Sequence, residues 1–334
     1  MDLSRLDFSL PPHLIAQKPL FRKGEARLMV INRRNGEIIH GKFAYLEDFL
    51  LADELLVLNN VKVDRRKITA YKETGGKVEL TFLSENTVVA KGRLKIGHLL
   101  TFAHYKAEVK ERIQNEPAIF RLEIFPPLTK KDLVKYAEVT LPPYIKNRVD
   151  EKDYQTVYAS KAGALAAPTA GLHFSKRQLN ILRKSGIKTA YLTLKVGLGT
   201  FLPIKCQKVE AHKMLSEEFE IPIRTARLVN KNKLSKRRVI AVGTTSLRAL
   251  EGGAVFKNGN YLLEPLHSRT DLFILPGYQF KIVDALLTNF HLPKSTLLAL
   301  VFAFAGEELI KKAYNEAIRL GYRFYSFGDA MLII

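Results

Sequence analysis

Three histidines stand where this chain could move protons. His173 lies in ALAAPTAGLHF at 164–174, His212 in AHKM at 211–214 and His291 in TNFHLP at 288–293. They are far apart, with no HExxH and no paired cysteines, so their spacing argues against a metal centre and leaves acid–base chemistry. In the first run Pro168 fixes a backbone angle, Thr169 adds a hydroxyl, and Gly171 lets the chain approach a neighbour or ligand closely. The following KRQLNILRKSG reads as a helix with Ser175 as its N-cap, so the run is the loop entering a helix, a geometry that suits an anion. An ordinary loop that buries Leu172 and Phe174 has the same pattern and is the commoner outcome.

Two further loops carry polar groups past apolar runs. Gly243-Thr244-Thr245-Ser246 follows VIAV and opens the helix LRALE, which brings hydroxyls and free N–H groups to one positive helix end; a carboxylate or a nucleoside fits there, and so does a simple N-cap. Asn289 stands beside His291 just past ALLTNF. Gly197-Leu198-Gly199-Thr200 also follows a strand but lacks the third glycine of a dinucleotide fingerprint. No phosphate-binding GxxxxGKS and no GxSxG nucleophile turn is present, which removes nucleotide hydrolysis and esterase chemistry.

The elements that must position these loops are compact apolar runs alternating with helical patterns. LLVLNN at 55–60, TAYLTLKV, VIAV, DLFILPG and ALLTNF read as buried strands, each ending at a glycine or asparagine. SLRALEGGAVF and the long STLLALVFAFAGEELIKKAYNEAIRLG read as helices, giving a largely parallel α/β sheet. Residues 64–137 differ: KITAYKE, KVELTFL, NTVVAKGRL, AEVKERI and AIFRLEIF alternate apolar and polar residues between turn signals. The expected fold is a three-layer α/β/α catalytic domain from 1–63 and 138–334, with an all-β small barrel inserted at 64–137.

The chain has 334 residues and 47% hydrophobic content, enough for substantial cores. Its longest apolar run, LLALVFAFA, is about half of the ~20 residues a membrane span requires, and MDLSRLDFSLPP lacks a signal-peptide core. A single cysteine, Cys206, excludes an internal disulfide, so a cytoplasmic location is expected, with no membrane partner. Lys and Arg outnumber Asp and Glu by 53 to 33, a net +20 that should attract polyanions, nucleic acid first. The clusters are Lys62, Arg65, Arg66 and Lys67; Lys130, Lys131, Lys146 and Arg148; and Lys231, Lys233, Lys236, Arg237 and Arg238, each of which could also be only a solvated face. The insert is only slightly denser in positive charge than the rest, so charge does not single it out.

An ordered set of stretches goes further. DFSLPPHLIAQKPL, LLVLNNVKV, LPPYI, YQTVYA, ALAAPTAGLHF, LTLKVGLGTFLPI, VIAVGTTSLRALE, TDLFILPGYQFKIVDALLTNFHLPKSTLLALVFAFAG and YRFYSFGDAMLI together closely resemble the S-adenosylmethionine:tRNA ribosyltransferase-isomerase family of queuosine biosynthesis. The resemblance is specific over residues 1–63 and 138–334 and weak in the insert. It implies that S-adenosylmethionine is consumed as a substrate, with no cofactor and no metal. Its ribosyl part would go to the aminomethyl group of 7-aminomethyl-7-deazaguanine at a tRNA wobble position, forming epoxyqueuosine and releasing adenine and methionine. A monomer is expected.

That chemistry needs a base near the sulfonium, a proton for adenine and a neutral acceptor amine. The candidates are His173, His212 and His291, with Asp271, Glu251 and Asp329 to orient them or hold the sulfonium. Thr169, Gly171, Lys195, Gly197, Gly199, Thr244, Thr245, Ser246, Arg248 and Asn289 are the expected substrate contacts, and Lys62, Arg65, Arg66 and Lys67 the expected tRNA contacts. Two positions depart from the family pattern: Lys195 stands where His-Val-Gly is expected, and Leu215 where His-Lys-Met-His-Ser is expected. Two alternatives therefore stay open, a tRNA-binding relative with impaired catalysis and an S-adenosylmethionine-dependent RNA methyltransferase.

Overall fold

A computed structural model describes residues 1–147, 149–197, 199 and 204–334; Arg148, Leu198 and Thr200 of the sequence motifs lie outside the described residues. The chain forms two compact units, one from Met1–Lys62 with Pro142–Ile334 and one from Val63–Leu141.

In the first unit, runs apolar at every position form strands buried on both faces. Nine strands lie in the spatial order Leu266–Thr270, Glu217–Ile221, Lys188–Leu194, Leu55–Asn59, Val239–Val242, Ala285–Asn289, Ala330–Ile333, Arg27–Ile31 and Ile38–Lys42. Alternate residues feed two cores. Leu55 and Val57 with Val239 and Ala241 pack beneath the helices Ile223–Leu234, Thr244–Gly252, Thr296–Ala305 and Glu307–Arg319. Leu56 and Leu58 with Ile240 and Val242 face Phe43, Leu46, Phe174 and Leu182 on the other side. This is the three-layer α/β/α arrangement. Only its centre is a parallel block, Lys188–Leu194 through Ala285–Asn289; the flanking pairings are antiparallel except that of Arg27–Ile31 with Ala330–Ile333.

The second unit is a closed six-stranded antiparallel barrel in the order Arg65–Lys72, Lys77–Phe82, Thr87–Lys91, Ile119–Phe125, Tyr105–Gln114, Leu99–Phe102, with the last strand returning to the first through Tyr71 opposite Thr101. Its alternating residues Ile68, Ala70, Val78 and Leu80 fill the interior. It is not wholly β: Lys130–Tyr136 is a helix, closed at its start by a reciprocal Thr129–Asp132 capping box.

Three local expectations change. DLFILPG is irregular rather than a strand. The AVF of SLRALEGGAVF belongs to a short hairpin, Ala254–Lys257 with Asn260–Leu263, because Gly252 and Gly253 end the helix. The long C-terminal helix is broken at Gly306, whose φ of +88° closes one helix and starts the next.

The parallel strands carry their carboxyl ends to one edge, and polar side chains there are spent on holding it together. Asn59 closes its strand at that edge: its amide nitrogen donates to the Leu194 carbonyl at 2.9 Å and to Thr245 Oγ1 at 3.3 Å, while its oxygen accepts from the N–H groups of Leu194 at 3.0 Å and Val61 at 3.1 Å. Glu251, buried at the far end of the Thr244–Gly252 helix, accepts from the backbone N–H groups of Lys281, Ile282 and Val283 at 2.9–3.0 Å and from the Tyr278 hydroxyl at 3.2 Å. It fastens the segment that leads into Ala285–Asn289. Glu251→Ala should therefore lower unfolding stability by about 3 kcal/mol or more, the consequence of leaving several buried N–H groups unpaired, as measured by denaturant titration.

Candidate active site at the carboxyl edge of the sheet

A cleft of about 700 Å3 opens at this edge, lined by residues from Ala166 to Ala170, Gly243 to Thr245, Thr288 to Leu292, and Tyr325 and Ser326. Position beyond the carboxyl ends of parallel strands is where open α/β sheets bind ligands. Gly243 is the N-cap of the Thr244–Gly252 helix with φ +86°, and no side chain caps that end. The hydroxyls of Thr244 and Thr245 thus sit in the first turn, beside a helix start whose N–H groups and positive dipole end border the cleft.

His291 lines the same cleft, with Nε2 3.0 Å from Thr288 Oγ1 and its backbone N–H donating to the Tyr314 hydroxyl at 2.9 Å. Burial pushes its imidazole down to about 3. Tyr325, another lining residue, is held at φ +73°, a conformation a bulky side chain rarely adopts. Its N–H bonds the Phe290 carbonyl at 3.1 Å and its carbonyl accepts from Gly328 at 2.9 Å, which fixes it there.

His173 borders a second cavity of about 550 Å3, lined by Pro19 to Gly24, Ala26, Asp153, Leu172 and Ser326 to Gly328. The two spaces share Ser326 and are linked through Asn289, which lines the cleft and contacts His173. The Thr169 hydroxyl donates to Asn289 Oδ1 at 3.0 Å, so the Asn289 amide nitrogen is the atom 3.0 Å from His173 Nε2. Because that nitrogen can only donate, Nε2 must accept and the imidazole proton sits on Nδ1. Burial, with smaller contributions from the Arg323 and Lys23 charges, pushes His173 down to about 4. Phe43 packs against the ring with centroids 5.0 Å apart.

The profile of queuosine biosynthesis proteins matches residues 3–333. The chain belongs to the queuosine biosynthesis ribosyltransferase-isomerase family. It is 44% identical to the S-adenosylmethionine:tRNA ribosyltransferase-isomerase of Carboxydothermus hydrogenoformans over 342 residues and 45% identical to that of Halothermothrix orenii over 345, with all of each chain covered. Its fold resembles the crystal structure of S-adenosylmethionine tRNA ribosyltransferase from Thermotoga maritima, at 32% identity and a TM-score of 0.59, covering 99% of this chain and 100% of that one. Family membership makes the chain an enzyme, a transferase and isomerase.

Of the residues the sequence singled out, Thr169, Thr244, Thr245, Asn289 and His291 line the cleft, and His173 lies directly behind Asn289. The others are elsewhere, for identifiable reasons. Gly171 does not make room for a ligand: a Cβ there would lie 2.0 Å from the Tyr158 hydroxyl oxygen and 2.8 Å from Thr156 Cγ2, so the glycine admits Tyr158. The run around it is a 3-10 turn, Thr169–His173, and the Lys176–Lys184 helix starts only afterwards, at the Ser175 cap. Arg248 is buried in an ion pair with Glu217, whose other oxygen accepts from Gly197 N–H at 2.8 Å, and its Nε donates to the Leu272 carbonyl at 3.0 Å. Ser246 is fully buried behind the cleft. Glu251 is committed to backbone as described. Asp329 accepts from the N–H groups of Arg27 and Arg323 at 2.8 Å each and from Arg27 Nε at 3.1 Å.

Asp271 is exposed, and His212 is half-buried against Phe273; neither lines the cleft or the second cavity. Lys195 reaches Glu218 at 2.5 Å, and Leu215 packs on Gly199. In the barrel Arg66 donates to the Leu83 carbonyl at 3.0 Å and to Asp64 at 2.9 Å, Arg65 donates to the Val134 carbonyl at 3.2 Å, and Lys67 pairs with Glu138 at 3.6 Å. Lys62 is exposed in the first unit. Arg66 is therefore committed to its own domain, and the 231–238 cluster precedes Val239–Val242 and so lies at the sheet edge opposite the cleft. Among the described residues no cluster of three or more His, Cys, Asp or Glu could hold a metal, and no helix is long and apolar enough to cross a membrane.

Sequence reasoning missed Tyr144, Thr288, Ser295, Tyr325 and Ser326 as cleft residues. Tyr144 and Ser326 share a hydrogen bond of 2.5 Å across 182 positions, which no local pattern could reveal.

The two buried imidazoles make stability depend on pH with a definite sign. Their folded values, about 4 and about 3, lie below the ordinary 6.5, so the unfolded chain binds the protons first as pH falls. Their contribution is complete above pH 6.5 and is lost progressively on descending toward pH 4 and 3, at about 1.4 kcal/mol per pH unit for each histidine. Denaturant titrations between pH 7 and 5 should show this fall, and it should be shallower in a His173→Gln, His291→Gln double variant.

Proposed function

We propose that the protein transfers and isomerises the ribosyl moiety of S-adenosylmethionine onto 7-aminomethyl-7-deazaguanine in the wobble position of tRNA, forming epoxyqueuosine and releasing adenine and methionine. The observation that carries this reading is the pairing, at one sheet edge, of an uncapped helix start with two buried neutral histidines in a chain of this family. The relatives' names supply S-adenosylmethionine and tRNA as the reactants.

The cosubstrate is a sulfonium, and a positive charge in a partly enclosed cleft is repelled by other cations. Histidines kept neutral by burial avoid that repulsion. The helix start at Thr244 and Thr245 suits the methionine carboxylate or the ribose hydroxyls. The sulfonium acidifies the protons on the adjacent 5′ carbon, and we assign removal of one to His291, which lines the cleft. That transfer moves the positive charge from the sulfonium to the imidazole and creates no new net charge, so a low intrinsic basicity is compatible with the step. His173, neutral and with its proton on Nδ1, is suited to donate a hydrogen bond toward developing negative charge rather than to abstract, and the proton that adenine needs comes from the imidazolium formed on His291. The acceptor amine, neutral at attack, then forms the new carbon–nitrogen bond and loses a proton, while the ribosyl–adenine bond breaks with adenine leaving protonated and the 5′ carbon–sulfur bond breaks with methionine leaving as the neutral thioether when the epoxide closes.

Lys195 and Leu215 favour retained activity over an impaired relative, because neither is among the residues lining the cleft. Incubation of the protein with S-adenosylmethionine and tRNA carrying 7-aminomethyl-7-deazaguanine should release adenine and methionine together. His291→Ala and His173→Ala should each reduce turnover by roughly 10²–10⁴-fold with much smaller changes in S-adenosylmethionine affinity. Formation of S-adenosylhomocysteine would instead establish a methyltransferase, and absence of any product with tRNA still bound would establish a catalytically inactive relative.

A further inference from the structure

The cavity behind His173 is not used by S-adenosylmethionine in the reading above, yet it is built from unusual parts. Its rim is the segment Pro19-Leu20-Phe21-Arg22-Lys23-Gly24, in which the Phe21 side chain is 98% exposed. An isolated apolar ring held almost wholly in water, between proline and two exposed cations, contributes nothing to a core. Nucleic-acid-binding grooves combine these two things, an aromatic face on which a base stacks and positive charge that follows the phosphates. The Arg323 and Lys23 charges both act on His173 at the inner wall of this cavity. Asp153 is the one carboxylate among its described lining residues, and a carboxylate accepts the adjacent imino and amino protons on the edge of a guanine-type base. The space, about 550 Å3 with its open mouth included, shares Ser326 with the cleft.

We infer that this cavity receives the wobble nucleobase of the tRNA, with Phe21 as its stacking platform and Asp153 reading its imino and amino edge. The inference rests on the proposed tRNA reaction and assigns its two reactants to two adjoining spaces. S-adenosylmethionine takes the cleft at Thr244 and His291. The flipped-out base enters from the opposite side of the Asn289–His173 pair, which brings its aminomethyl group toward the ribose. Arg22 and Lys23 then meet the flanking phosphates.

The test measures binding separately from turnover. An anticodon stem-loop RNA with 7-aminomethyl-7-deazaguanine at the wobble position is titrated by fluorescence anisotropy against the parent, Phe21→Ala, Phe21→Tyr, Asp153→Asn and, as a control, Phe256→Ala. Phe256 is another exposed aromatic, in the hairpin after the Thr244–Gly252 helix and so away from the carboxyl edge. Phe21→Ala should weaken RNA binding by roughly 5- to 150-fold, the range for one lost base stack. Phe21→Tyr should restore it, and Phe256→Ala should leave it unchanged. S-adenosylmethionine affinity, measured calorimetrically without RNA, should be the same in Phe21→Ala as in the parent. Asp153→Asn should narrow the preference for this RNA over one with adenine at the wobble position.

Unchanged RNA affinity in Phe21→Ala overturns the inference, as does a loss of S-adenosylmethionine affinity in its place. Adenine release by the parent is scored independently. If it occurs while Phe21→Ala binds RNA normally, the reaction stands and this site falls; if the parent binds RNA through Phe21 but releases no adenine, the site stands and the reaction falls. A parent that does not bind the RNA at all overturns both.

Discussion

The amide of Asn289 is the constraint on which the rest of the site depends. It ends the last parallel strand of the block, is buried, and has one neighbour that donates to it and one that must accept from it. With its oxygen toward the Thr169 hydroxyl and its nitrogen toward His173, Asn289 couples the hydroxyl rotor, the amide direction and the imidazole tautomer, so that none of the three changes without the others. Three residues from two distant stretches thereby act as one unit. The unit is only as well placed as the strand end that carries it, and that position is transmitted from Glu251 through the segment at 281–283. Stability of the sheet edge and protonation of a candidate catalytic group are in this way the same structural problem.

Burial explains why most of the charged candidates have structural roles. A carboxylate or guanidinium out of water must be matched by several hydrogen bonds or an opposite charge. Glu251 is matched by backbone N–H groups, Asp329 by backbone and Arg27, and Arg248 by Glu217. Once so matched, these groups are held in one orientation by their partners, which suits them to hold loops. Imidazole escapes this because it can be buried neutral at small cost. The two histidines at the edge of the cleft are accordingly titratable groups that burial keeps neutral.

What was legible in the sequence follows the same physics. Runs apolar at every position, such as LLVL and VIAV, had to be strands buried on both faces, and alternation in the insert had to be a barrel wall, because each pattern leaves only one way to hide its apolar surface. The loops after those strands were legible as a site for the same reason. The roles of individual residues were not. Gly171 and Gly243 look alike in sequence, yet one is required by the Tyr158 side chain pressed on it and the other by its positive φ at a helix start. Glu251 and His173 are both single polar residues in apolar surroundings, and only partners at positions 278–283 and at 289 separate the anchor from the candidate acid. Gly306 was passed over because its surroundings are strongly helical on both sides, whereas its own backbone angle divides the helix.

The departures at Lys195 and Leu215 acquire a physical meaning from their placement. Side chains alternate along the strand that ends near the cleft, so Val196 faces the cleft while Lys195 turns to the neighbouring strand and meets Glu218, which also contacts His267 at 2.8 Å. A histidine at 195 would occupy that same outward position. A lysine there pairs with Glu218 on the adjacent strand and leaves the cleft lining intact. The same alternation that buries Leu194 and Val196 leaves Lys195 half-buried against Glu218, away from the cleft lining.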